Sequence, residues 1–162
     1  MLIREGTIND LDAVTQLEAL CFPAAEAAGR EAMAQRLETY GRHFWLLMDG
    51  ETLAAMVNGM VTDETDLRDE MYERAELHQE NGTWQMIFGV ATRPEYRGRG
   101  CAGRVLRQVI KDAAEQGRQG LVLTCKDVLL PFYARFGFVN EGASGSVHGN
   151  VPWNQMRLNL KG

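Results

Sequence analysis

The segment between Trp84 and Thr124 constrains this chain most. A strand-like run, Trp84 to Thr92, leads into a turn, Arg97-Gly98-Arg99-Gly100-Cys101-Ala102-Gly103. An amphipathic helix follows from Gly100 to Gln116, with Val105, Leu106, Val109 and Ile110 on one face. It ends in Gly120-Leu121-Val122-Leu123-Thr124, a near-continuous apolar run that reads as a buried parallel strand. Strand, crossover helix and strand make a parallel βαβ unit, which places the chain in the α/β class. The turn itself suggests a ligand. Its glycines let the backbone fold tightly, and the first N–H groups of a helix have no partner inside it. With the positive end of the helix dipole behind them, and Arg93, Arg97 and Arg99 nearby, they suit an anion such as a phosphate.

The rest of the chain arranges itself around that unit. Leu2-Ile3-Arg4 is a short strand. Thr7 or Asn9 caps a helix that runs to Ala19 with Leu11, Val14 and Leu17 on one face. Cys21-Phe22-Pro23 breaks it, and a second helix is expected over Ala24 to Thr39. Phe44 to Met48 and Leu53 to Val61 are strands joined at the hairpin turn Asp49-Gly50. Thr65 to Gln79 has helical spacing at Leu67, Met71 and Leu77. Val128 to Phe136 is a short helix, and Phe138-Val139 and Val151 to Leu160 are closing strands. The sequence contains no repeat and no low-complexity linker, so residues 1–162 are expected to form one domain.

Composition removes several functions. The net charge is −5, against general nucleic-acid binding. No apolar run reaches membrane-spanning length, and Met1 to Gly6 is too short and polar for a signal peptide. Cys21, Cys101 and Cys125 are odd in number and widely spaced, which fits reduced thiols in a cytoplasm. None has a partner at metal-ligand spacing, so no metal is expected. Charge is uneven along the chain. Residues 63–80 carry eight acids against two arginines, whereas residues 81–119 carry seven bases against three acids. These are either two solvated faces or a basic cofactor side and an acidic side suited to a cationic substrate.

The turn has two readings. Gly98-x-Gly100-x-x-Gly103 matches the dinucleotide spacing, but the next strand ends in Cys125-Lys126 where a ribose-binding acid belongs. The alternative rests on two motifs in order. Arg97-x-x-Gly100-x-Ala102, preceded by a strand and Arg93-Pro94-Glu95-Tyr96, resembles the pyrophosphate motif of the GNAT superfamily of acetyl-CoA-dependent N-acetyltransferases. Pro131-Phe132-Tyr133-Ala134-Arg135-Phe136-Gly137-Phe138 resembles that family's Tyr-x-x-x-Gly-Phe segment closing the CoA site. Within the superfamily, Cys125-Lys126-Asp127 leading to Leu130-Pro131-Phe132-Tyr133, together with Cys21-Phe22-Pro23, is similar to arylalkylamine (serotonin) N-acetyltransferases.

The resemblance implies a GNAT fold, one mixed sheet of about seven strands with helices on both faces. It implies transfer of acetyl from acetyl-CoA to a primary amine, a small aryl-, alkyl- or polyamine, by direct attack in a ternary complex. Amides of Gly98, Arg99, Gly100, Cys101, Ala102 and Gly103 would hold the pyrophosphate, with Arg97 adding charge. The main chain of Val90, Ala91 and Thr92 would pair with the pantetheine arm. Tyr133 would protonate the departing thiolate, although a lone tyrosine there also reads as a core aromatic. Phe22, Pro23, Met86, Phe88 and Trp153 would line the acceptor pocket, or simply pack in the core. The resemblance also allows a homodimer.

It breaks at the general base. The family's two strand histidines fall here on Met86 and Phe88, and Gln85 to Thr92 contains no glutamate. An alkylammonium titrates near the lysine value of about 10.4, so some group must take its proton. His148, also readable as a solvated loop histidine, is the leading candidate, followed by His78, Asp63 and Glu64; His43, at a strand start, reads as structural. Acceptors such as a peptide N-terminus or a lysine, and a CoA sensor without turnover, remain open.

Overall fold

The computed structural model describes residues 1–146 and 148–161, and of His148 its main chain alone. The chain order is β1 (Leu2–Arg4), α1 (Leu11–Cys21), α2 (Arg30–Tyr40), β2 (Phe44–Asp49), β3 (Thr52–Asn58), β4 (Val61–Thr62), α3 (Asp69–Glu73), β5 (Trp84–Ile87), β6 (Gly89–Thr92), α4 (Cys101–Glu115), β7 (Gly120–Cys125), α5 (Leu130–Ala134), β8 (Val139–Ala143) and β9 (Asn154–Asn159). Short 3-10 turns connect several of these elements. The α/β class and the parallel unit hold: β5 pairs with β7 in parallel, Trp84 facing Gly120 and Ile87 facing Leu123.

One expectation is corrected. In place of a single seven-stranded sheet there are two, ordered β1-β2-β3-β6 and β4-β5-β7-β9-β8. The run from Trp84 to Thr92 belongs to both. Its first half pairs with β7 and β4, its second half with β3, and Phe88 stands at the change of partner. The cause is the crossing at Asn58 to Met60. There Phe88 N–H donates to the Asn58 carbonyl and Met86 N–H to the Met60 carbonyl, each at 2.8 Å. Gly59 lies between them, so close that a Cβ on it would sit 1.8 Å from the Met86 carbonyl oxygen. Only a residue without a side chain fits where one backbone crosses another.

The helices differ from expectation at their starts. Thr7 caps a 3-10 turn in a capping box with Asp10, and α1 begins after it. The second helix starts at Arg30, not at Ala24. Pro23 accepts from the Glu26 and Ala27 amides, and the Ala28 amide donates to the Glu18 side chain at 2.9 Å. These bonds commit the 23–28 backbone to a turn, and α2 starts after Gly29 in extended conformation.

Two apolar clusters flank the sheets. One joins α1 and α2 to one face through Val14, Leu17, Met33, Leu37, Phe44 and Met86. The other packs α4 through Val105, Leu106 and Val109 against Leu47, Val57, Leu121 and Leu123. Helices thus cover both faces, as the sequence implies. Among the described residues no helix is long and apolar enough to cross a membrane.

Candidate active site

The change of partner at Phe88 leaves a gap. On one side β6 pairs with β3; on its other side no strand pairs with it among the described residues. On that side β6 presents a sheet edge without a strand partner, closed at its end where the Thr92 carbonyl accepts from the Cys21 thiol at 3.2 Å; such an edge is a template for an extended ligand.

At the far end of β6 stands the glycine turn. Gly98 (φ +79°) and Gly100 (φ +73°) adopt the left-handed conformation, and Gly100 caps α4. That geometry leaves the amides of Gly98 to Gly103 without a main-chain acceptor among the described residues. Arg97 reaches the Cys21 sulfur at 3.9 Å, and Arg99 lies over the Tyr96 ring. Arg93 is structural: its Nε donates to the Leu53 carbonyl and its amide to that of Ala54. A Cβ on Gly103 would lie 3.3 Å from the Phe136 ring, so the start of α4 sits directly against the Tyr133–Phe138 segment. The two sequence motifs therefore meet in space. Open amides at a helix N-terminus, arginines and a bare strand edge in one line fit a phosphate-bearing cosubstrate with an extended arm.

At the other end of β6 a cavity of about 210 Å³ opens beside Phe88, Gly89 and Val90. Tyr133 forms part of one wall. It is buried at 6% exposure, and burial, with Cys125 and Tyr72 adding to it, pushes its phenol well above the usual tyrosine value. At neutral pH this group keeps its proton. Cys125, also on the wall, is pushed up to about 11 by burial, so it remains a thiol and a poor nucleophile. Phe22, Tyr72 and Trp153 supply aromatic surface, and Tyr72 stacks on Phe88 at 4.6 Å.

The predicted pocket residues divide. Phe22 and Phe88 line the cavity. Met86 is fully buried in the α1–α2 core cluster and does not line the cavity, although Phe22 and Phe88 pack against that same cluster. Pro23 is exposed and forms the turn after α1. Of the base candidates, Asp63 accepts from the Thr83 amide and hydroxyl, Glu64 pairs with Arg68, and neither lines the cavity. The His148 side chain lies outside the described residues; its backbone turn abuts Glu26, where a Cβ on Gly149 would meet the Glu26 side chain at 2.6 Å.

His78 belongs to a separate cluster. Its Nδ1 accepts from the Val61 amide, so its Nε2 donates to Glu80. His43 is buried against Gln85 and faces the same carboxylate at 3.0 Å. Both histidines and Glu80 lie at metal-ligand distances, but the donated hydrogen on Nε2 makes His78 a hydrogen-bonding partner, not a ligand. This cluster is expected to contribute to acid stability, beside the lowered carboxyls of Asp10 and Glu141. Burial pushes the His78 imidazole down, and at Glu80 bonds from both histidines outweigh burial and bring the carboxyl to about 2. Both groups bind fewer protons folded than unfolded, so their stabilisation is complete above the ordinary histidine value and is lost downward. The urea midpoint is expected to fall first below about pH 6.5 and again below about pH 4.5. Glu80→Gln should flatten the lower stage; an unchanged curve would exclude the cluster as its source.

Three residues that the sequence reading did not single out complete the cavity: Glu18, Arg36 and Glu26. Glu18 lies four residues after Val14 and seven after Leu11, on the apolar stripe of α1, and is 7% exposed. Arg36 interrupts the buried stripe Met33, Leu37, Tyr40 of α2. It lies 4.9 Å over the Phe88 ring and donates to Asn58 and to the Tyr72 carbonyl. A charge inside an apolar helical stripe is the signal that could have found both. The acidic segment 63–80 mostly pairs internally, Arg68 with Glu64 and Glu70, Arg74 with Glu70 and Glu76. Of its acids, Glu73 alone among the described residues lines the cavity.

With fold and site in place, the comparisons define the class. The chain belongs to the acetyltransferase (GNAT) family, whose model matches residues 11–138. Among solved structures it is similar to GphF, a GNAT-like decarboxylase in complex with isobutyryl-CoA (TM-score 0.86, 21% identity, 99% of this chain and 100% of that one). It is also similar to the loading GNATL domain of CurA from Lyngbya majuscula (0.84, 16%, 98% and 96%). A third is the ribosomal-protein-S18-alanine N-acetyltransferase from Escherichia coli (0.72, 16%, 98% and 93%). At these identities the likeness is one of fold.

Proposed function

We propose that this protein transfers acetyl from acetyl-CoA to the primary amine of a small aryl- or alkylamine. The observation that carries this reading is the cavity at the break between β5 and β6: it joins an open strand edge to a protonated Tyr133 and an aromatic, carboxylate-bearing pocket. The amides of Gly98 to Gly103 hold the pyrophosphate, with Arg97 and Arg99 adding charge. Val90, Ala91 and Thr92 pair with the pantetheine arm along the free edge of β6. The bound thioester supplies the acetyl group, and an amide of the β6 edge polarises its carbonyl. Tyr133 holds the proton that the sulfur needs on leaving. Phe22, Phe88 and Tyr72 take the apolar part of the amine. The motif likeness to arylalkylamine acetyltransferases supports that acceptor class, and the carboxylates of the pocket suit a cation.

The test is steady-state release of free thiol from acetyl-CoA over a panel of aryl-, alkyl- and polyamines, with peptides and malonyl-CoA alone as further arms. Turnover with a small amine is expected. Turnover with a peptide only would give the acceptor as a protein end. Loss of carbon dioxide from malonyl-CoA without any amine would favour a decarboxylase, the activity named for GphF. Binding without turnover in every arm would leave a sensor.

The turn has its own test. Gly100→Val forces a β-branched residue into a left-handed conformation, at a cost of roughly 1–2 kcal/mol. It is expected to weaken acetyl-CoA binding about tenfold by calorimetry, since the amides of the turn reorient. Unchanged affinity would place the pyrophosphate elsewhere.

A further inference from the structure

The geometry points to Glu18 as the proton acceptor for the incoming amine, and we propose it as the general base. The inference rests on the acetyl-transfer reading, in which the thioester lies at the β6 end of the gap. The strand leading there has no proton acceptor: Met86 is in the core and Phe88 is aromatic. The base must therefore come from an element packed over the break.

Two buried carboxylates line the cavity among the described residues, Glu18 of α1 and Glu26, and Glu18 is the one beside the strand. Glu18 Oε2 accepts the Ala28 amide at 2.9 Å, which fixes the rotamer of the side chain. Oε1 is then turned to the strand, 3.8 Å from the point where a Cβ on Gly89 would lie. The Phe22 ring reaches within 3.7 Å of the same point, so carboxylate and ring together cover the first residue of β6. The absent side chain at Gly89 is what lets them come so near. Tyr133 lines the cavity from α5, giving a proton donor and a proton acceptor on different elements around one space. The other acids of the cavity are placed for other work. Glu26 pairs with Lys126 at 3.0 Å, and Glu73 is exposed.

The proton balance closes. Glu18 takes one proton from the substrate ammonium, which frees the nitrogen lone pair. That pair forms the C–N bond to the acetyl carbon, and the C–S bond breaks with its electrons going to sulfur. Tyr133 gives sulfur a proton and recovers one from the newly acylated nitrogen. The net proton leaves from Glu18 to water. The carboxylate also attracts the cationic form of the amine, which is the form that predominates at neutral pH.

Glu18→Gln tests this, because the amide side chain still accepts from Ala28 and the fold is kept. The probes are 2-phenylethylamine, a cation at neutral pH, and trifluoroethylamine, which is already neutral there. With phenylethylamine at pH 7 the variant is expected to lose about 100-fold in kcat and to recover as pH rises toward the pKa of the amine. With trifluoroethylamine it should stay within a few-fold of the parent protein. Acetyl-CoA affinity and the thermal midpoint should not change, and Glu18→Asp should show partial activity. Equal losses on both amines, or an unshifted pH profile, would overturn Glu18 as base while leaving acetyl transfer intact. A parent protein inactive on every amine would overturn the acetyl-transfer reading and this inference with it.

Discussion

Tyr133→Phe is expected to lower kcat about 100-fold while acetyl-CoA binds with unchanged affinity, the separation that marks loss of a proton donor. The ring packs edge-on against Phe132 at 5.1 Å and Phe138 at 6.0 Å, so phenylalanine fills the same space and the wall of the cavity is kept. Only the hydroxyl is lost. Burial holds that hydroxyl in its protonated form at neutral pH, so the native group has a proton to give. The defect should therefore depend on the leaving group: a donor with a more acidic thiol should restore much of the rate. Equal losses in affinity and turnover would make Tyr133 a packing residue.

The largest expected effect on stability is at Gly59. A Cβ there would lie 1.8 Å from the Met86 carbonyl oxygen and 2.6 Å from its carbon, both backbone atoms that no rotamer change can move. Gly59→Ala must push β3 and β5 apart. It strains the hydrogen bonds of Met86 to Met60 and of Phe88 to Asn58 that set the change of partner. A cost of about 3 kcal/mol or more is expected, a drop of roughly 6–12 °C in Tm for a domain of this size. Gly145→Ala, with nothing within 4 Å of the added carbon, should move Tm little and serves as control. Equal, small shifts in both would mean that the crossing relaxes easily.

Local signals were readable where they depend on neighbours in sequence. The parallel unit, the amphipathic α4 and the left-handed glycines at its start all follow from a periodicity and a turn chemistry confined to a few residues. The split of one strand between two sheets was not, because nothing in Trp84 to Thr92 marks Phe88 as a boundary. Its cause is Gly59, a residue distant in sequence whose role appears only when two backbones cross. The start of α2 was missed for the same reason: the Glu18 carboxylate, ten residues upstream, takes the Ala28 amide. Glu18 and Arg36 could be seen as charges on apolar stripes, but what they face is set by tertiary packing. Met86 and Phe88 share the α1–α2 side of the sheet, and depth separates them: Met86 is sealed in the core while Phe88, at the change of partner, borders the cavity.

The bare edge of β6 also bears on how the protein holds together. The four residues of β6 pair with a strand along one flank only, and on the other flank the Cys21 thiol bonds the last carbonyl, that of Thr92. The resting fold is an unfinished sheet, and whatever lies along that edge completes it. An extended ligand there is a temporary piece of secondary structure, a brace between two halves that otherwise diverge. On the acetyl-transfer reading, loading the protein would also brace its midline.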